Sequence, residues 1–503
     1  MSEFSRRQVL KGVFAAGATT MAASALATTK ERSWDETVDV VVIGSGFAGL
    51  AAAIEAKKAG GNVVVLEKMP TPGGNSIING GIMSAPGCPQ QIKHGIKDSK
   101  RLFEKDILRA GNYMNDPKKV RYVVDHALSN YEWTIQELGV EYMPDAIGQE
   151  GGHSVPRHVT LKNGSGSGIV QKELEKVKAL GVPVRLRTYV ERIVRNEDGR
   201  VEGVVVRKNY KFPDATSGKV VRIRATKGVI ACYGGFAADL KYRTYQDPKL
   251  TDKLDTTNQP GATSELWRET SAIGALQVQN DWIQCGPWGS PREKGMGIAS
   301  SFNQGAAAEY GIWVNSDGKR FVNELANRKV RSDAIMAEQA QGKKCIAICN
   351  EANLNFLRAK RPSRVEELLE RKIVEKFDTL EEMAKAAGVN YRNLKAEIEE
   401  FNGFVKAKKD PKWGHYINND QLPSTEGPWY YSDLQPKIHH CMGGLVTDEN
   451  CQVLDVRTYQ PIPGFYAAGE SCGMVHGAVR LGSVATLECL VFGRLAGQQV
   501  MKA

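Results

Sequence analysis

The sequence predicts an α/β fold: a Rossmann-like domain, interrupted by an inserted α+β domain and completed by the C-terminal segment. Three observations predict it. A strand, glycine-rich turn, helix and strand occupy residues 40–67, the composition shifts after about residue 281, and strand-and-glycine texture returns from Ile438. Val40–Ile43 is a continuous apolar strand, Gly44-Ser45-Gly46-Phe47-Ala48-Gly49 the turn, Leu50–Lys58 a helix, and Asn62–Glu67 a second strand ending in an acid. Gly44, Gly46 and Gly49 permit a tight turn, the helix N-terminus faces a pyrophosphate, and Glu67 accepts from ribose hydroxyls.

A second glycine cluster, Gly73-Gly74-Asn75-Ser76 and then Gly80-Gly81, follows the acid directly. Such a stretch runs beside an isoalloxazine ring, whereas a nicotinamide domain would start another helix, so FAD is preferred over NAD; the competing reading is an ordinary glycine-rich loop. Helical periodicity covers Ser99–Ala110 and Pro117–Leu138. Strands are expected at Pro183–Leu186, Tyr189–Arg195, Val201–Arg207, Val220–Ala225 and Gly228–Ala231, with Val190 placed to offer its backbone to adenine. Glycines and prolines then crowd residues 286–297, a hairpin is expected around Asp317-Gly318, and Arg364–Lys409 reads as a solvated helical region of mixed charge. The expected division is a cofactor domain over 28–281 and 423–503, with a capping domain over 282–422.

At 503 residues the chain exceeds the size at which a single core keeps growing. Its net charge of +10 comes from cations spread along the chain, which argues against nucleic acid as a partner. Ser5-Arg6-Arg7-Gln8-Val9-Leu10-Lys11, a weakly apolar run and Ala25-Leu26-Ala27 make residues 1–27 a twin-arginine signal peptide, and the expected location is the periplasm. No later stretch has the roughly 18 apolar residues of a membrane span. Nine cysteines without paired spacing point to neither a disulfide framework nor a metal site, and no Cys-x-x-Cys-His motif is present to attach a haem.

Near the C-terminus the chain writes His439-His440-Cys441-Met442-Gly443-Gly444, then Gly469-Glu470 and Val475-His476-Gly477-Ala478-Val479-Arg480-Leu481-Gly482. Imidazole beside guanidinium is a carboxylate receptor. The neighbouring glycines let a backbone lie close to a flat ring.

With these motifs the chain resembles the flavoprotein of soluble periplasmic fumarate reductases, the flavocytochromes c, and their relatives that reduce methacrylate and urocanate. The likeness covers nearly the whole chain after the signal and is carried also by Thr257-Asn258-Gln259-Pro260-Gly261 and Lys319-Arg320-Phe321-Val322-Asn323-Glu324. The resemblance implies noncovalent FAD and a substrate clamped against it by the inserted domain. It assigns Arg328 as proton donor and His439 and Arg480 as ligands of a substrate carboxylate. It places Ala48, Glu67, Asn75, Ser76, Gly80, Gly81, Val190, His440, Glu470, Ala485 and Thr486 at FAD-contacting positions, with Gly81 also facing the substrate. The implied reaction is reduction of an activated C=C bond, with hydride to the β-carbon and a proton to the α-carbon while the carboxylate is polarised.

The sequence departs from that pattern where a second carboxylate would bind. Gln284-Cys285-Gly286-Pro287 stands where the family has His-Pro, Asn303-Gln304 where it has Thr-Glu, and Ala307 where it has an arginine. Fumarate is therefore expected to fit less well than a monocarboxylate such as methacrylate or acrylate, with Trp282 and Trp288 available to an apolar substituent. Without a haem motif, electrons are expected from a separate c-type cytochrome. The alternatives are a fumarate reductase proper, a flavin-dependent ketosteroid-type dehydrogenase and a noncatalytic electron-transfer flavoprotein.

Overall fold

Residues 33–502 are described in a computed structural model; the signal-peptide segment 1–27 lies outside them. The strand Glu36–Ile43, the helix Phe47–Lys58 and the strand Val63–Leu66 form the βαβ unit. Val40, Val41, Val42, Val64 and Val65 have no exposed surface, so both strands are covered on both faces and read as unbroken apolar runs. They belong to an eight-stranded sheet whose parallel core runs in the order Pro461–Ala467, Lys219–Ala231, Glu36–Ile43, Val63–Leu66, Val184–Arg185. Thr188–Arg195 and Val201–Lys208 extend it as an antiparallel pair. The last helix, Val484–Val500, lies against the first helix through glycines: a Cβ on Gly493 would stand 2.4 Å from the Ala48 carbonyl oxygen, and one on Gly497 2.2 Å from that of Ala52. Only glycine allows the two backbones to approach this closely.

Several local elements differ from the sequence reading. The first helix begins at Phe47, inside the expected turn, because the turn closes within Gly44-Ser45-Gly46. The expected long helix over 117–138 is two helices, Pro117–Asp125 and Ala127–Gln136, divided at His126, whose Nδ1 lies 2.8 Å from the Tyr122 carbonyl oxygen. Lys219–Ala231 is a single strand, since its expected break at Thr226-Lys227 is taken up as a register shift on the neighbouring strand between Val38 and Val40. The hairpin around Asp317-Gly318 closes through Asn315 N–H to Lys319 O at 3.0 Å, Gly318 N–H to Asn315 O at 2.9 Å and a single Val314–Arg320 bridge, without forming a second strand. Beyond it, the Trp313 N–H is satisfied by the Glu324 carboxylate at 3.1 Å instead of by a returning strand. Glu324 in turn is buried with Arg320, Asp410 and His415 in an ionic cluster.

A second body is built on a four-stranded antiparallel sheet in the order Ile312–Asn315, Cys345–Asn350, Trp429–Asp433, Glu375–Phe377. Strand alternation divides its side chains. Trp313, Cys345, Ala347 and Cys349 face the helices Glu351–Lys360 and Pro362–Glu370, while Ile312, Val314, Ile346 and Ile348 face Leu380–Ala387 and Tyr391–Ala407. Because Trp429–Asp433 pairs within this sheet, the second body runs past residue 422, where the sequence placed its end. The two bodies are stitched by an antiparallel ribbon of Ile283–Gly286 with Lys437–Cys441. Among the described residues no helix is long and apolar enough to cross a membrane, no group of three or more His, Cys, Asp or Glu is arranged to hold a metal, and the cysteines are free.

Candidate functional site

A cleft with about 920 Å3 of empty space, open solvent included, lies at the C-terminal ends of the parallel strands. Gly44, Gly46, Ala48, Glu67, Asn75, Ser76, Val190 and Glu470 are among the residues that line it. The turn is closed by contact: Gly44 has φ +101° and its Cβ would stand 2.2 Å from the Cys232 carbonyl oxygen, while a Cβ on Gly49 would stand 2.0 Å from the Gly44 carbonyl oxygen. Gly46, which caps the first helix, offers no side-chain hydrogen bond, and only the Ser76 hydroxyl accepts from the first turn, from Phe47 N–H at 3.0 Å. Gly44 N–H donates to the Leu66 carbonyl oxygen at 2.8 Å and Ser45 N–H to Glu67 Oε2 at 3.2 Å, which leaves the Gly46, Ala48 and Gly49 N–H groups to meet an anion. Glu67 accepts from Ser45 Oγ at 2.6 Å and from Met69 N–H at 2.9 Å. A register shift between Val190 and Arg192 interrupts the pairing of that strand beside the cleft.

Gly74 and Gly234, both with positive φ, have no atom within 4 Å of where a Cβ would be, so their bare backbones face open space on the cleft wall. An acid for ribose, an uncapped helix end for pyrophosphate and bare glycine backbone for a ring are the features FAD needs. The residues fit it. Gly80, Gly81, Ala485, Thr486 and His440 lie beyond this lining. A Cβ on Gly80 would meet open space; the Gly81 N–H donates to Asn79 Oδ1 at 2.7 Å; Ala485 and Thr486 open the last helix and are partly buried.

The ribbon Ile283–Gly286 with Lys437–Cys441 sets the second part of the site, pairing Gln284 with His440 and bringing His439 alongside. His439 Nδ1 lies 2.8 Å from Thr257 Oγ1, and Asn258 Nδ2 donates to that same hydroxyl oxygen at 3.3 Å. The Thr257 hydroxyl has two acceptors, Nδ1 at 2.8 Å and the Ile438 carbonyl oxygen at 3.4 Å; given to the nearer one, its proton leaves the imidazole N–H on Nε2. Burial, with Arg480 and Arg328 nearby, holds His439 neutral by pushing its pKa well down. Asn258 also donates to the His439 carbonyl oxygen at 2.9 Å and accepts from Asn75 Nδ2 at 2.6 Å, so the glycine-rich cofactor loop and the imidazole are one hydrogen-bonded unit.

Arg480 is 5% exposed, and its guanidinium makes one hydrogen bond, Nη1 to the Leu481 carbonyl oxygen at 3.5 Å; Nε has no partner. Among the described residues no carboxylate lies within ion-pair distance of it. Burial and the neighbouring Arg328 bring its pKa down to about 9, still charged at neutral pH. His440 Nε2 and His476 Nε2 are likewise buried and unpartnered, their rings 5.3 Å apart. The Arg480 guanidinium is a donor waiting for an acceptor, and the two imidazole nitrogens are unmatched polar atoms in the same region.

Arg328 opens the helix Arg328–Ala340, where a cation meets the positive end of the helix dipole. Its position is held by Glu150 Oε2, which accepts from Nη2 at 2.7 Å, and by the Trp288 ring, whose centroid is 4.5 Å from the guanidinium carbon. Trp288 meets the His439 ring edge-on at 5.4 Å. Gln284 Nε2 donates to the Arg480 carbonyl oxygen at 3.0 Å. Arg328, Trp288, His439 and the Arg480 segment are therefore brought together.

Trp288 also explains Gly286. A Cβ at 286 would stand 3.0 Å from the indole, so the ring fills the space a larger side chain would take. Asn303 spends its amide on the Trp288 and Gly289 carbonyl oxygens, at 3.0 and 3.3 Å, and Gln304 accepts from Arg331 at 2.6 Å. Trp282 makes no recorded ring contact in this site. Sequence reasoning missed Glu150 and the Thr257-Asn258 relay to His439. The one signal for Glu150 is its position before Gly151-Gly152, a close-approach pair like the other site glycines.

Substituting Gly44→Ala forces a side chain onto a left-handed backbone and into the Cys232 carbonyl. The expected outcome is protein that purifies without flavin, measured as loss of the visible flavin absorbance relative to that at 280 nm.

The FAD binding domain family matches residues 39–486. The acrylate reductase flavoprotein subunit of Shewanella woodyi is 40% identical over 99% of this chain and 98% of its own length. The urocanate reductase of Eggerthella lenta is 33% identical over 92% of this chain and 74% of its own. A solved structure of the open conformation of a flavocytochrome c3 fumarate reductase superposes with a TM-score of 0.74 at 31% identity, covering 100% of this chain and 81% of that one. This chain belongs to that family of FAD-binding flavoproteins, as an FAD-dependent oxidoreductase acting on CH–CH groups.

Proposed function

We propose that this chain reduces the C=C bond of a small α,β-unsaturated monocarboxylate of the acrylate or methacrylate kind, in the periplasm, with electrons from a separate c-type cytochrome. The observation that carries the reading is Arg480, buried and charged with no carboxylate of its own, beside the neutral donor His439 and close to Arg328. A neutral ring ketone has no use for such a receptor. The relatives named for acrylate, urocanate and fumarate all act on carboxylates conjugated to a double bond, which supports the reaction class.

FAD, held along Gly44, Gly46, Glu67, Asn75 and Ser76, would when reduced be the source of the hydride, and with it of both electrons. Arg480 and the His439 Nε2–H hold the substrate carboxylate and stabilise the negative charge that moves onto it. Arg328 delivers the proton to the α-carbon, completing the saturated acid. Its guanidinium is an unusually weak acid, so it acts only when the developing carbanion is a far stronger base than water. Trp288 shields this side from solvent, which strengthens the electrostatic contacts.

The preference for one carboxylate follows from the missing donors. Gly286 has no side chain, the indole fills its place, and the Asn303 amide is already engaged. Leaving a second carboxylate without matched donors costs on the order of a few kcal/mol for each lost hydrogen bond. The location rests on the twin-arginine segment and the cytochrome on the missing haem motif.

Oxidation of reduced methyl viologen, followed with acrylate, methacrylate, cinnamate, urocanate and fumarate in turn, tests the reading. The expected order puts a monocarboxylate first in kcat/KM; fumarate in first place would overturn it. In Arg328→Ala, turnover falls by at least about a thousandfold while FAD stays bound. The charge on Arg480 also predicts a pH dependence: kcat/KM reports the free enzyme, so it falls as pH rises through about 9, where the receptor loses its proton.

A further inference from the structure

Glu150 takes no part in the reaction as described, yet it is the acid nearest the proton donor. It stands in the loop between the strands Tyr142–Gly148 and His158–Leu161. Its Oε2 accepts from Arg328 Nη2 at 2.7 Å, and the same oxygen lies 2.5 Å from where a Cβ on Gly482 would be, two residues beyond Arg480. The carboxylate is thus wedged between the donor arginine and the backbone of the receptor arginine, with 21% of its side-chain surface exposed.

The loop cannot easily withdraw it. Gly151 touches the backbone ahead of Arg328, its Cβ position being 3.1 Å from the Leu325 carbonyl oxygen, and Gly152 meets the Leu481 side chain at 2.9 Å. One residue on, His153 Nε2 lies 2.9 Å from the Gly482 carbonyl oxygen, while its Nδ1 receives Arg157 Nη1 at 2.7 Å. Arg157 is itself fixed by Asp98 and Asp106. A carboxylate anchored on both sides is a permanent part of the site.

We infer that Glu150 is a specificity-determining residue: its fixed carboxylate occupies the anion-binding face of Arg328 and repels any substrate bearing a second carboxylate. This rests on the enoate reductase reading above and adds a repulsive element to the missing donors. With Arg328 charged, the cations Arg328, His158 and Arg331 outweigh burial and hold the Glu150 pKa down at about 2, so at neutral pH an incoming substrate meets an anion there. The other assignment for Glu150, a carrier that reprotonates Arg328, is separated by the test below.

The test compares FAD-bound wild type, Glu150→Gln, Glu150→Met and Glu150→Asp in the reduced-viologen assay with acrylate and with fumarate. The neutral variants are expected to raise the ratio of fumarate to acrylate kcat/KM by roughly tenfold to a hundredfold, mainly through a lower KM for fumarate, as removing a like charge a few ångströms away should. Glu150→Asp keeps the charge and stays close to the wild-type ratio. Two neutral variants are used so that a folding defect in one leaves the other to decide. An unchanged ratio in a neutral variant that retains FAD overturns the inference, and an equal loss of rate with both acids assigns Glu150 to positioning or proton supply. A wild type that prefers fumarate overturns the proposed substrate class itself, which is a separate result.

Discussion

Arg480 lies buried with one weak hydrogen bond to a carbonyl oxygen of its own segment and, among the described residues, no carboxylate within ion-pair distance, although Glu150 and Glu470 are near enough to act on its charge. A buried cation without compensation costs several kcal/mol, so the surrounding fold has to hold it in place by other contacts. Gln284 grips its carbonyl oxygen, Ala478 N–H pairs with the Gly111 carbonyl oxygen, and Asn115 holds the Val475 carbonyl oxygen. The charge is supported from its backbone, leaving its side chain free. A carboxylate arriving from outside is the partner we propose for it.

The same constraint explains why imidazoles, and not further cations, surround it. Burial first, with Arg480 and Arg328 adding to it, keeps His439 and His440 uncharged, and the Thr257 hydroxyl, nearer to Nδ1 than to the Ile438 carbonyl oxygen, leaves the proton of His439 on Nε2. Since Asn258 also bonds Asn75, the loop that lines the flavin cleft is tied to the proposed substrate ligand. Cofactor and substrate sites are thus coupled by three hydrogen bonds. Filling one is expected to order the other.

The βαβ unit was legible because a strand covered on both faces reads as an unbroken valine run and its turn must be glycine. The boundary of the second body was harder to read. Trp429–Asp433 is as buried as the strands of the cofactor domain, and only its pairing with Cys345–Asn350 assigns it. The hairpin at 317–318 failed for a similar reason, because the Glu324 side chain replaces a strand partner and no periodicity reports that. In the site, His439, Arg480 and Arg328 were reached through motifs; the structure brings His439 and Arg328 together around Trp288, with the Arg480 backbone held by Gln284 of the same ribbon. Glu150 was not reached, since a lone acid in a glycine loop looks like any solvated turn until its distance to Arg328 is known.

The central claim is that one carboxylate docks on Arg480 and His439 with its α-carbon turned to Arg328. A crystal structure of the FAD-bound protein with propionate, the saturated product analogue of acrylate, tests it most directly. The account predicts both carboxylate oxygens within hydrogen-bond distance of Arg480 and His439, with the Arg328–Glu150 ion pair intact. Propionate bound instead to Arg328, with Glu150 displaced and Arg480 left empty, would contradict it.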